Sequence, residues 1–388
     1  MVATIVLVLA AGVADAKPFI PVDDATVLER IPVTSGSDRA ELRAMRERLA
    51  SSPQDLDVAA ALARRYIALG RADADPRYNG WAQAALQPWW QMMEPPIAVL
   101  VLRATILQNR HEFTAALQDL DRALADAPRN VQGWLTKATI LRVQGKPREA
   151  AASCASLFGL TDTLTAVTCL ADATSLAGKA QASYARLLEA FSAQAEHVES
   201  GRRLWTLTVL GEIAGRLGDA VSADRHFREA ASLGVRDIYL SAAYADELLD
   251  QGKAADARTF LTGETAADTL LLRLALAEQQ LGSAEAARHI ENLKARFAAA
   301  RGRNDQLHLR EEARFTLELL GNPPAALRLA EENWRVQREP TDARLILEAA
   351  LAAGSPASAR PVIAWLDETG LEDVRLRSLA DKLREPAI

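Results

Sequence analysis

The stretch LWTLTVLGEIAGRLGDAVSADRHFREAASLG, residues 204–234, decides how this chain is read. Leu204, Leu207 and Leu210 recur at helical spacing, and Gly211 follows directly as a small residue on the same segment. Gly218 interrupts the periodicity. Ala223, Phe227 and Ala230 then restore it in the order small, bulky, small. Small residues let two antiparallel helices approach closely, and bulky ones fill the gaps between successive pairs. The stretch is a helix–turn–helix unit that cannot bury its apolar faces alone.

The same unit returns along the chain. Leu100 recurs 34 residues later as Trp134, Ala104 as Ala138, Leu107 as Leu141, Ala116 as Ala150 and Leu120 as Cys154. Turn glycines extend the register at Gly70, Gly145, Gly178, Gly218, Gly252, Gly282, Gly321 and Gly354, with His111 in the turn position of the unit that lacks one. Ala298 to Asp305 reads as one long turn, and Arg71 to Pro76 as an extended one. The register predicts an all-α solenoid of tandem helix-turn-helix repeats, about nine helix pairs over residues 55–371. Residues 17–54 form an N-terminal extended segment and lead-in helix, and 372–388 a capping helix or tail. In this pattern the chain resembles tetratricopeptide-repeat (TPR) proteins, specifically exported bacterial ones with no attached catalytic domain. The resemblance implies a concave face for a protein or peptide. It implies no chemistry, because function lives in sites rather than in folds.

Composition agrees with helices. Apolar residues make up 49% of the 388 and aromatics only 5%, and Ala and Leu dominate. Lys and Arg number 45 against 51 Asp and Glu, a net charge of −6, which argues against nucleic acid or an anionic membrane as the main partner. Val2 to Gly12 is an uncharged apolar run followed by Ala14-Asp15-Ala16. It is too short for the ~20 residues of a membrane-spanning helix and suits a signal peptide cleaved after Ala16. No Lys or Arg precedes the run, which departs from the usual pattern. The expected location is the periplasm or another exported compartment.

Two cysteines exclude a disulfide-dense scaffold and a four-Cys zinc site. Cys154 falls on the second helix of one unit and Cys169 on the first helix of the next, within disulfide reach across a short turn. His308, Glu311 and Glu312 share helical spacing but equally suit a surface face paired with Arg310 and Arg314, so no metal is expected. No G-x-S-x-G, Walker A or G-x-G-x-x-G motif occurs, so neither catalysis nor a cofactor is expected. Three of the seven tryptophans lie in one stretch as Trp81, Trp89 and Trp90. Their spacing suits a capping core, with an aromatic recognition surface as the alternative.

By the resemblance, the concave face carries Thr105, Gln108, Thr139, Arg142, Trp205, Glu212, Tyr239, Asp246 and Asp250. It lacks the Lys and Asn ladder with which chaperone-linked members clamp a terminal carboxylate. The sequence thus predicts a non-enzymatic scaffold of the cell envelope that binds a protein partner. The alternative is an accessory protein for a small ligand, glycan or metal.

Overall fold

The computed structural model describes residues 23, 36–194, 198–303 and 307–384. The expected signal peptide, residues 1–16, lies outside them. The chain divides into a short unit, Met1–Ala44, and a large one, Met45–Ile388. Helix α1 is Gly36–Ser51. The described residues contain no β-strand, and no helix is long and apolar enough to cross a membrane.

Among the described residues nine antiparallel helix pairs build the large unit, and each first helix also packs on the first helix of a neighbouring pair. The first pair is α2 (Leu56–Asp73) with α3 (Arg77–Ala85), followed by the short α4 (Gln87–Trp90). Next come α5 (Ile97–Asn109) with α6 (Phe113–Asp126), α7 (Val131–Val143) with α8 (Pro147–Ala155), and α9 (Thr163–Ser175) with α10 (Ala180–Ser192). The middle is α11 (Ser200–Arg216) with α12 (Ala220–Ser232) and α13 (Ile238–Asp250) with α14 (Ala254–Phe260). The last three pairs are α15 (Asp268–Gln280) with α16 (Glu285–Gly302), α17 (Leu309–Glu318) with α18 (Pro323–Trp334), and α19 (Pro340–Ala352) with α20 (Pro356–Thr369). A final helix, α21 (Val374–Arg384), packs on α19 and α20.

Local chemistry sets the ends. The side chains of Asp55, Asn130, Asp162, Asp219 and Asp237 each accept a hydrogen bond from a first-turn N–H of the helix they precede. Between paired helices the chain needs one left-handed residue, and seven of the eight glycines read as turn residues supply it. His111 takes that conformation too, with φ 60°.

Gly70 is the exception. It lies inside α2, which runs on to Asp73, and the left-handed residue is Ala74 at φ 50°. Here glycine serves close approach instead: a Cβ at Gly70 would stand 3.0 Å from that of Tyr78 on α3. The reversal is therefore shorter than the extended turn read over Arg71 to Pro76. The long turn expected over Ala298 to Asp305 is also helical as far as Gly302, and Asn304 and Asp305 lie outside the described residues. Its alanines are strong helix formers, and Phe297 and Ala300 bury against the core, which outweighs the turn signal of Gly302.

A disulfide joins Cys154 on α8 to Cys169 on α9, with Cα atoms 5.5 Å apart. Closing a loop of this size contributes about 3 kcal/mol in the chain-entropy model. Replacing both cysteines by alanine should lower the unfolding free energy by about that amount. Urea titration of the two proteins, without reductant, measures the difference.

The array also turns back on itself. Arg71 at the end of α2 pairs with Asp237 before α13 at 3.0 Å. The α7–α8 turn meets the C-terminal repeats: Arg338 N–H donates to Val143 O at 2.7 Å, and the Trp365 indole donates to Gly145 O at 3.1 Å. Gly145 has φ +73°, and a Cβ there would lie 2.7 Å from that of Arg338. One turn further along, the Glu372 carboxylate accepts from the Ala180 N–H at 2.8 Å and so caps α10 from 192 residues away. Leu176 shares a core with α18 to α21. Solenoid contacts normally run between neighbours. Here the ninth pair and α21 also close on the third and fourth.

Candidate functional site: the charged inner face

The first helices of the pairs turn their polar side chains toward one another across this closure. Two groups of charges result.

The first group lies at the N-terminal ends of α13 and α19. Arg142 on α7 pairs with Asp172 on α9 at 3.4 Å and with Glu339 at the start of α19 at 2.9 Å. Arg310 on α17 grips both oxygens of Asp342, at 2.6 and 2.8 Å, and reaches Glu339 at 2.6 Å. Asp342 further accepts from the Asn333 side chain at 2.7 Å and the Glu339 N–H at 2.8 Å. Nearby, the Tyr239 hydroxyl donates to Glu212 at 2.5 Å.

Burial raises the Glu212 carboxyl, and the neighbouring Asp172 charge adds to it. Desolvation of the hydroxyl and the Glu212 charge together push Tyr239 well up although the residue as a whole is 46% exposed, so it stays a donor at neutral pH. Burial would raise Glu339 as well, but Arg142 and Arg310 hold it below the usual carboxylate range. His111 lies 3.3 Å from Gln337 and is lowered to about 4 by burial and by Arg310. It is therefore neutral at pH 7.

The second group lies further along the same helices. Asp246 receives Arg273 from α15 and Arg314 from α17, both at 2.6 Å. Burial favours its neutral form, but the two guanidiniums win and hold it at about 2. A carboxyl depressed in the fold contributes stability above its ordinary value near pH 4, and that stability is lost as pH falls toward about 2. The Asp246 share is about 2 kcal/mol on this linkage. Asp246→Asn should remove that share of the acid limb of the stability–pH profile, which denaturant titrations between pH 2 and 5 would measure.

Next to it, Asp250 accepts Arg344 Nη1 on both oxygens at 2.9 Å and is also paired with Arg375 from α21. Arg344 Nε reaches Glu348 at 2.7 Å, and Arg314 Nε reaches Glu318 at 2.7 Å. These residues, with Leu249 and Gln280, line a cavity of about 310 Å3.

Five of the nine residues expected on the concave face, Arg142, Glu212, Tyr239, Asp246 and Asp250, fall in these two groups. Thr105 and Thr139 turn their hydroxyls onto their own helices, donating to Val101 O and Leu135 O. Gln108 is half-buried on α5, and Trp205 packs half-buried against the core. Sequence reading missed the partners these residues meet, Asp172, Arg273, Arg314, Glu339, Arg344 and Arg375, and the Arg310–Asp342 pair that joins them through Glu339. Most lie in the degenerate repeats after Gly282, and no local spacing links Asp250 to Arg344, 94 residues away.

The tryptophan-rich stretch splits. Trp89 and Trp90 are buried, while Trp81 is exposed and packs edge-on to Tyr78 at 4.9 Å. The helical run expected through it breaks at Leu86, and α4 then starts at Gln87 with Pro88 in its first turn. Glu312 is paired with Arg301 and Glu311 accepts from Thr269, while His308 sits at the helix cap. Among the described residues no three His, Cys, Asp or Glu side chains are grouped to hold a metal.

No family model and no curated protein matches this chain. Among solved structures it is similar to the APC/C hetero-tetramer Cut9–Hcn1, at 11% identity and TM-score 0.41 over 90% of this chain and 93% of that one. It is similar to the Rap protein complexed with competence and sporulation factor, at 12% identity and TM-score 0.48 over 85% and 99%. A tetratricopeptide repeat protein from Parabacteroides merdae matches at 17% identity and TM-score 0.29 over 74% and 99%. At such identities the likeness is one of repeated helix pairs. The chain's own helix order and packing define the class: an all-α solenoid of tetratricopeptide-like repeats.

Proposed function

We propose that the chain is a non-enzymatic interaction scaffold, exported to the cell envelope, that binds a protein or peptide partner on the inner face of its solenoid. The observation that carries this reading is Tyr239. It stands 46% exposed on the inner face although its hydroxyl is fixed by Glu212. A large aromatic ring held in one orientation loses little entropy on binding and makes an effective anchor. Beside it, Arg142 with Asp172 and Glu339 forms a largely buried network of both signs.

Export is supported by the apolar run before Ala16 and by the paired cysteines, which persist in oxidising compartments. A scaffold of this kind acts by complementarity of shape and charge, without turnover. The experiment is site-specific photocrosslinking in the native cell, with p-benzoylphenylalanine at Tyr239 or at Val221, which is 81% exposed on α12. A discrete adduct at Tyr239 in the envelope fraction, absent at Val221, is expected. Adducts at Val221 alone would move the partner off the inner face, and adducts formed only in the cytosol would remove the export argument.

A further inference from the structure

The geometry points to the 310 Å3 cavity between α13, α17, α19 and α21 as a binding site for a small zwitterion bearing a carboxylate and an ammonium, of amino-acid or dipeptide size. The inference is independent of the Tyr239 reading. Tyr239 and Asp250 stand at opposite ends of α13, roughly 17 Å apart along the helix axis.

Hydrogen-bond arithmetic carries it. Each guanidinium has five N–H donors in a fixed fork. Arg314 spends Nε on Glu318 and Nη1 on Asp246. Arg344 spends Nε on Glu348 and Nη1 on Asp250. Arg375 spends one side-chain nitrogen, Nη1, on an Asp250 that Arg344 already holds by both oxygens. The Nη2 groups of all three arginines meet no partner among the described residues, and all three side chains line the cavity. Donors converging on one small space fit a carboxylate.

Acceptors remain as well. Glu318 and Glu348 each engage one oxygen and leave the other uncommitted toward the same cavity. The lining thus carries three guanidiniums and three carboxylates. A bare anion would face those three carboxylates, and a bare cation the three guanidiniums. A ligand with both charges satisfies the leftover donors and the leftover acceptors together and adds no net charge to the site. The volume suits that size, since it is far larger than one ion needs and near the lower end of small-molecule sites, ~300 Å3. Burial lowers the Arg375 guanidinium despite the nearby charges of Glu247 and Asp246.

The test uses the full chain and thermal unfolding with five probes: L-glutamine, glycylglycine, the two half-ligands acetate and ethylammonium, and an end-blocked Lys-Glu peptide. The zwitterions should raise Tm saturably, and the halves should not at equal concentration. An end-blocked Lys-Glu peptide binding in place of the free zwitterions would place the same two charges on a polypeptide. Arg375→Gln leaves Asp250 held by Arg344, and Glu348→Gln leaves Arg344 held by Asp250, so both variants should fold. Each should weaken binding at least tenfold. Stabilisation by acetate equal to that by the zwitterions would reduce the site to an anion hole, and unchanged affinity in both variants would place the ligand elsewhere. Absence of any shift with all five compounds would overturn the proposal outright.

Discussion

Arg310→Met should cost about 3–5 kcal/mol of stability, the range seen when one partner of a buried ion pair is removed. The Asp342 side chain is 1% exposed, and among the described residues Arg310 is its one cationic partner, engaged by both Nε and Nη2. Asn333 and the Glu339 N–H would remain on Asp342, but neither brings a charge. Glu339 would keep Arg142. Most of the loss therefore falls on Asp342, and Asp342→Asn added to Arg310→Met should recover a large part of it. Denaturant unfolding of the two single variants and the double would complete the cycle. A loss under about 1 kcal/mol for Arg310→Met would mean that water reaches Asp342 and that the inner face is looser than described.

Phe227→Ala should be of comparable size, about 3–5 kcal/mol. Phe227 is 2% exposed on α12 and lies in the largest core, its ring stacked on Tyr244 with centroids 5.8 Å apart. It faces Gly211 on α11, where an added Cβ would stand 2.9 Å from the ring. A glycine backbone cannot extend into the space left by truncation, so the cavity stays open and its cost is felt nearly in full. The pair should also couple. Gly211→Ala alone overpacks the ring, and Phe227→Leu alone leaves a gap, so the double variant should cost less than the two singles summed. Strict additivity would show that Gly211 is small for helix approach alone and not for the ring.

The helix-pair fold was legible because its signals are local. Leu207, Gly211, Phe227 and Ala230 specify contacts within one pair and with the next, and seven of the turn glycines take the left-handed conformation their spacing required. Gly70 misled because a glycine admits two physical reasons, left-handed backbone and close approach, which look identical in a sequence. The stretch from Ala298 misled because three turn signals, Gly302, Asn304 and Asp305, were set against a run of alanines without the burial of Ala300 in view.

The sequence by itself therefore determined the repeat and the pairing of neighbouring helices, and the resemblance offered Arg142, Glu212, Tyr239, Asp246 and Asp250 among nine residues expected on one face. Tertiary structure decided what those side chains meet. The path of a solenoid accumulates from small rotations between pairs, and no single period encodes the sum. That sum brings Glu339 to Arg142, Arg314 to Asp246, Arg344 and Arg375 to Asp250, and Glu372 to the start of α10. Charges that read as a solvated groove become an internal network because long-range attraction and burial act between residues that no local pattern connects.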